Sequence, residues 1–194
     1  MLRHIHLKNT RIIFFSVEER DAEICGRIGH EAHRVISFIH CYPSEQPSEE
    51  YAIGLIKMIL GNPNSCGLLA EQEGRVLGSI FLHKFPQSPI AVIGPVTDRP
   101  SAEGTGVGWL LMGSAVAKAR KENHAHVRLV QSPSHIRSFV LYTKCGFILR
   151  EPLFLMQGPP QKSKVVDGGV NVHPVDEESD ISKCNDICKS VHGF

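Results

Sequence analysis

Glu103-Gly104-Thr105-Gly106-Val107-Gly108-Trp109-Leu110-Leu111 is a glycine-dense loop that turns into a helix. Such a loop exposes successive backbone N–H groups where the helix dipole is positive, so it attracts a phosphate. It is answered downstream by Tyr142-Thr143-Lys144-Cys145-Gly146-Phe147, which places a tyrosine on the last turn of another helix, four residues before a glycine stop. Together the two segments suggest a pyrophosphate-bearing cofactor with a proton donor near its reactive end.

Working outward, Ile12 to Val17 reads as a strand, within an N-terminus whose short apolar run is Ile12-Ile13-Phe14-Phe15. Asp21 is placed to cap a helix with Ile24, Ile28, Ala32, Val35, Ile36 and Ile39 on one face. Cys41 to Pro47 is a loop, and Ser48 is placed to cap a second helix that stops at Gly61-Asn62-Pro63. Cys66 to Glu71 and Val76 to His83 are strands around a hairpin turn. Ile90 to Thr97 is the strand before the glycine loop, whose helix runs to about Lys121. Val127 to Gln131 is a buried-type strand, Ser134 to Lys144 a helix ended by Gly146, and Phe147 to Met156 a last strand. The order β-α-α-β-β-β-α-β-α-β implies an α/β (α+β) domain. Its central sheet is mixed, with a parallel pair near the end and helices on both faces.

Residues 1–160 are expected to form this domain, 161–170 a linker, and 171–194 the incomplete start of a second copy. Asp180, Cys184, Ile187, Val191 and His192 repeat Asp21, Cys25, Ile28, Ala32 and His33 at a constant offset of 159.

Composition excludes more than it assigns. A net charge of +1 gives no global reason to expect nucleic acid or a membrane surface. No apolar run reaches the ~18 residues of a spanning helix. The six cysteines form no Cys-x-x-Cys pair, so core thiols in a reducing, cytoplasmic compartment are expected rather than a disulfide framework. His124-x-His126 and His4-x-His6 have strand-like spacing that aims two imidazoles the same way. Neither has a thiol partner nearby in sequence, and no metal is expected.

Three nucleotide-binding patterns compete for the glycine loop. A Walker loop needs a Gly-Lys-Ser/Thr ending, which is absent. A dinucleotide fold needs the glycines directly after the first strand, with an acidic residue about twenty positions on; this loop follows a later strand, and position 124 is His. The third pattern is strand, Glu-Gly-Thr-Gly-Val-Gly, helix, strand, helix, Tyr-Thr-Lys-Cys-Gly-Phe, strand. Over roughly residues 11 to 158 it resembles the GNAT superfamily of acyl-CoA-dependent N-acyltransferases. The truncated repeat fits that superfamily's two-domain members.

The family's Gln/Arg-x-x-Gly-x-Gly/Ala loop maps onto Glu103, Gly106 and Gly108. The resemblance implies that the amides around Gly104, Thr105, Gly106, Val107 and Gly108 hold the pyrophosphate of acetyl-CoA. It implies that Val96, Thr97 and Asp98 pair with the pantetheine arm and offer an N–H to the thioester carbonyl. It puts Tyr142 where the family tyrosine protonates the departing thiolate, with Ser138 on the same helix beside the cofactor. Two residues depart from the pattern. Glu103 brings a negative charge to a negative ligand, and His135 stands where many members carry an asparagine. The implied partners are acetyl-CoA and an amine on a small molecule or protein; a homodimer is compatible with the reading.

Acetyl transfer to an amine needs a neutral amine, a stabilised carbonyl oxygen and a protonated leaving thiolate. An alkylamine of pKa ~10.4 must lose a proton first. Glu71, Glu73, His83 and His126, on or near the central strands, are candidate bases. A water chain is an equal candidate. The rival to an enzyme is a regulatory module of the same fold that binds CoA without turnover, motivated by Glu103 and the broken repeat.

Overall fold

A computed structural model describes residues 4–7, 10–86, 88–153, 159, 174–175 and 178–192, with side chains from Ile12 onward. The chain divides into two units, Met1–Ile148 and Leu149–Phe194.

In the first unit, β1 (His4–Leu7) and β2 (Thr10–Ser16) form a hairpin. α1 (Ala22–His40) and α2 (Glu49–Leu60) follow, then β3 (Ser65–Gln72), β4 (Arg75–Lys84) and β5 (Ile90–Asp98). α3 (Val107–Lys121), β6 (His126–Leu129) and α4 (Ile136–Lys144) complete it. The strands lie in the order β1-β2-β3-β4-β5-β6, antiparallel throughout except for β5 and β6, which run parallel across the α3 crossover.

Strand alternation divides the core in two. Ala70, Ile80 and Leu82 pack with Val107, Leu111, Met112 and Ala115 of α3. Their strand neighbours Leu69 and Phe81 join Ala22 and Cys25 of α1 and Ile56 and Ile59 of α2 in a second cluster. Consecutive residues of one strand thus bury into opposite layers, which requires helices on both faces of the sheet.

Local chemistry sets the element ends. Ser48 Oγ accepts from the Tyr51 N–H at 3.1 Å and starts α2. Glu73 and Gly74, both at positive φ (51° and 76°), make the tight β3–β4 turn. Asp21 does not cap α1 with its side chain; its carboxylate instead accepts from the Glu18 N–H at 2.9 Å, closing the preceding 3-10 turn. β1 adds a strand before the expected first one, paired Leu7↔Thr10 to His4↔Ile13. β6 ends at Leu129, two residues short of Gln131. α4 begins after a turn with Pro133 in its second position, closed by the His135 N–H on Ser132 O at 3.1 Å.

Residues 147–153 are irregular, and the remainder of the expected last strand lies outside the described residues, as does the 161–170 linker. In the second unit, α5 (Glu178–His192) is helical across the segment that repeats α1.

Candidate functional site

Two strands part to make the cleft. β5 and β6 pair only from Ile90↔His126 to Ile93↔Leu129. β5 then shifts register against β4 through Gly94 and Pro95 and continues to Asp98 paired with β4 but no longer with β6. Arg99 donates its N–H to Leu77 O of β4 at 2.7 Å. By alternation the N–H groups of Val96 and Asp98 point the other way, into the fork. His83 holds the shift in place, with Nε2 2.6 Å from Gly94 O and Nδ1 2.9 Å from Ser65 Oγ.

The glycine loop lies at the end of this strand. Gly104 and Gly106 take positive φ (75° and 91°), a conformation costly for other residues. The loop's amides fall into two groups. Glu103 N–H is committed to Pro100 O, and Thr105 donates both its N–H and its hydroxyl to Ala102 O. Among the described residues the amides of Gly104, Gly106, Val107, Gly108 and Trp109 have no acceptor, whereas the next one, Leu110, bonds Gly106 O. A helix start is built with such orphan donors. The cradle is therefore narrower than the whole loop: Glu103 and Thr105 contribute no free N–H.

Tyr142 is positioned by the way α4 stops. The Phe147 N–H bonds Tyr142 O and the Gly146 N–H bonds Thr143 O, both at 3.0 Å, around Gly146 at φ 90°. This is a Schellman cap, whose apolar contact joins the residue past the glycine to the residue three before the helix end. Here that contact is Phe147 against Tyr142, edge to face at 6.2 Å. The Tyr-x-x-x-Gly-Phe spacing is thus a device that fixes one phenol.

Fork, loop and α4 meet at a cavity of about 430 Å³. Val96, Thr97 and Asp98 line it from β5, Glu103 and Gly108 from the loop, and His135, Ser138 and Tyr142 from α4. Gly104, Thr105, Gly106 and Val107 are not among its lining residues, and the Val107 side chain is buried in the core. Ser138 Oγ hydrogen-bonds His135 Nδ1 one turn away. Glu71, Glu73, His83 and His126 do not line the cavity. His83 has both ring nitrogens occupied and serves the strand shift instead. Trp109, at the start of α3, is 48 % exposed.

The electrostatics suit a dry site. Burial raises the Tyr142 phenol above its ordinary value, the Ser138 hydroxyl opposes this, and the Asp98 charge reinforces it. Burial also raises Asp98, opposed first by a hydrogen bond from its own backbone N–H and then by the Arg137 charge. His135 is lowered by burial and by the charges of His40 and His33. The phenol therefore keeps its proton at neutral pH.

The sequence reading missed Arg137. Its guanidinium donates to the Glu103 carboxylate from the first turn of α4. The negative charge that seemed to oppose an anionic ligand is thus paired. An acidic residue where the loop pattern calls for a basic one was a signal to search nearby elements for its partner. His33, Tyr42, Glu45 and Gln46, from α1 and the loop after it, form the far wall and were not picked out singly. Among the described residues no three His, Cys, Asp or Glu side chains converge on a metal position. Among the described residues no helix is long and apolar enough to cross a membrane.

Residues 30–147 match the family model described as the acetyltransferase (GNAT) family. No curated protein matches the sequence. Similar solved structures include an aminoglycoside N-acetyltransferase in complex with CoA, at TM-score 0.62 and 12% identity, covering 79% of this chain and 99% of its own. The PaiA N-acetyltransferase of Thermoplasma acidophilum, in complex with coenzyme A, aligns at TM-score 0.60 and 19% identity over 73% of this chain and 92% of its own. An acetyltransferase from Trypanosoma brucei aligns at 0.54 and 20% over 75% and 99%. At these identities the likeness establishes the fold alone. The family match spans more than half of the sequence, and on that ground the chain belongs to the GNAT family of acetyltransferases.

Proposed function

We propose that the chain transfers an acetyl group from acetyl-CoA to a primary amine by direct attack of the amine on the thioester. The observation that carries this reading is that an open strand fork, one fixed phenol and Gly108, the one residue of the run of unpartnered loop amides that lines it, meet at a single cavity. Solved neighbours that hold CoA support the donor's identity.

Each part has a separate task. The free amides of Gly104 to Trp109, apart from Thr105, receive the diphosphate; hydrogen bonds to a charged group contribute about 1.5–3 kcal/mol each. Val96 and Asp98 extend their N–H groups along the fork as a strand partner for the pantetheine. One of these donors meets the carbonyl oxygen as it becomes an oxyanion. Tyr142 then gives its proton to the sulfur; a phenol kept neutral by burial is suited to this. No enzyme nucleophile is needed. His135 with Ser138 takes the place of the usual asparagine as a polar contact for the arm.

Arg137 answers the difficulty raised by Glu103. Paired, the two are close to neutral at the loop and leave the main-chain donors in control of the anion. A cytoplasmic setting accompanies this reading, supported by six cysteines that are all free thiols. We read α5 as the first helix of a second copy of the domain, because it occupies the segment that repeats α1.

Calorimetry with acetyl-CoA, followed by thiol release across an amine panel, tests the proposal. Binding with release is expected. Binding without any release would favour the regulatory module, and absence of binding would contradict both.

A further inference from the structure

The far wall of the cavity is made of side chains that the donor half does not use. His33 faces it from α1, and Tyr42, Glu45 and Gln46 face it from the loop between α1 and α2. That loop is fastened to α1. His30 Nδ1 lies 2.9 Å from Gln46 O, and Ser44 Oγ accepts from the Gln46 N–H at 3.3 Å. Glu45, held between them, sets its Oε2 3.7 Å from His33 Nδ1, one turn of α1 beyond His30. That distance is an ion-pair contact rather than a hydrogen bond; the carboxylate's charge favours a proton at Nδ1 and so Nε2 as the basic nitrogen. Among the described residues Nε2 has no partner. Gln46 is 4 % exposed, and its Oε1 is buried without a donor.

The charge on this wall is small. Glu45 is its only carboxylate, because Asp98 and Glu103 belong to the donor half and Glu103 is taken by Arg137. The rest is apolar or aromatic, with Ile36, Leu55, Tyr42 and Tyr51. A polycation would leave its additional charges against this surface, whereas a single ammonium on an apolar arm has a partner for each part.

Resting on the acetyl-transfer reading, we infer that the acceptor is a small primary amine with one positive charge on an apolar or aromatic arm, and that the His33–Glu45 pair takes its proton. His33 Nε2 accepts one proton from the ammonium, and Glu45 stabilises the imidazolium. The freed lone pair forms the C–N bond. The C–S bond then breaks, and the Tyr142 proton goes to sulfur. The phenolate takes the second proton from nitrogen, and His33 releases the first to water. Ammonium plus thioester thus give amide, thiol and one proton. Burial lowers the His33 imidazole against the opposing pull of Glu45, so at neutral pH it is free to accept. The other ionisable groups lining this cavity are His135 at the start of α4, Tyr42, Tyr51, Asp98, Glu103 and Tyr142, with His40 of α1 acting on His135 through its charge.

The test uses the full chain with acetyl-CoA, 2-phenylethylamine and spermidine, following thiol release from pH 5.5 to 9 and CoA affinity by calorimetry. Phenylethylamine is expected to be turned over with the higher kcat/KM, along an acid limb. His33→Asn should lower kcat by on the order of 10²–10⁴ and abolish that limb, at unchanged CoA affinity. Glu45→Gln, a change on the loop, should keep the limb and move its midpoint down. This second variant decides the matter if His33→Asn does not fold. A limb unchanged in both variants, or a preference for spermidine, would overturn the inference and leave acetyl transfer standing. CoA binding without release from either amine would overturn both.

Discussion

On the β5, α3 and α4 side, the cavity presents main-chain N–H groups, those of Val96, Asp98 and Gly108 among them; on the α1 side it presents side chains, His33, Tyr42, Glu45 and Gln46. The first side owes its chemistry to backbone geometry. A strand fork and a helix start expose donors whatever residues flank them, provided glycine fills the positions at positive φ. The second side owes its chemistry to residue identity and to a loop tied down through His30 and Ser44. The difference teaches that, on the proposed function, the half made of main-chain donors would suit the CoA donor and the half made of side chains would be the one to select an acceptor.

The contrast breaks first at Tyr142, the side chain to which the donor half gives the proton transfer. Tyr142→Phe should lower kcat by about 10²–10⁴ while CoA affinity stays near that of the native chain; a stopped assay for free thiol beside calorimetry separates the two. Equal turnover would move the proton donor elsewhere.

Backbone geometry is challenged next by Gly106→Ala. A Cβ at φ 91° costs roughly 1–2 kcal/mol of stability. It should also weaken CoA binding about tenfold, because the neighbouring amides turn away; denaturant melts and calorimetry read both. Ser48→Ala removes the α2 cap, far from the donor half. It should cost about 1 kcal/mol in the same melts and leave CoA affinity alone. Arg137→Ala unmasks Glu103 and should weaken CoA binding several-fold, an effect of about 1 kcal/mol or less at a partly exposed pair. Adding Glu103→Gln should recover most of it. The pH profile carries the smallest expected effect. Because burial raises the phenol, no alkaline loss assignable to Tyr142 should occur below about pH 10.

The same contrast explains what the sequence made legible. Gly104, Gly106 and Gly146 stand at positive φ, so their spacing declares the loop and the helix stop directly. Tyr142 follows from Gly146 and Phe147 because cap geometry requires an apolar contact at that distance. Helices on both faces follow from the strand patterns. The far wall was legible only as a loop, because nothing in Cys41 to Pro47 states that Glu45 faces His33. The Arg137–Glu103 pair spans two elements, and only the packing of α3 against α4 brings it together. The candidate bases on the central strands do not line the cavity, and for His83 the reason is related. Position along a strand does not reveal that His83 is already occupied by Ser65 and Gly94. β1 escaped notice because its His-Ile-His-Leu run has little apolar weight outside its pairing with β2.

The most direct measurement is amide NMR during titration with CoA and, separately, with pantetheine, which lacks the diphosphate. The account predicts that the Gly104, Gly106, Val107, Gly108 and Trp109 amide protons move strongly downfield with CoA and hardly at all with pantetheine, while Val96 and Asp98 respond to both. Saturable CoA binding that leaves those five amides unmoved would contradict it.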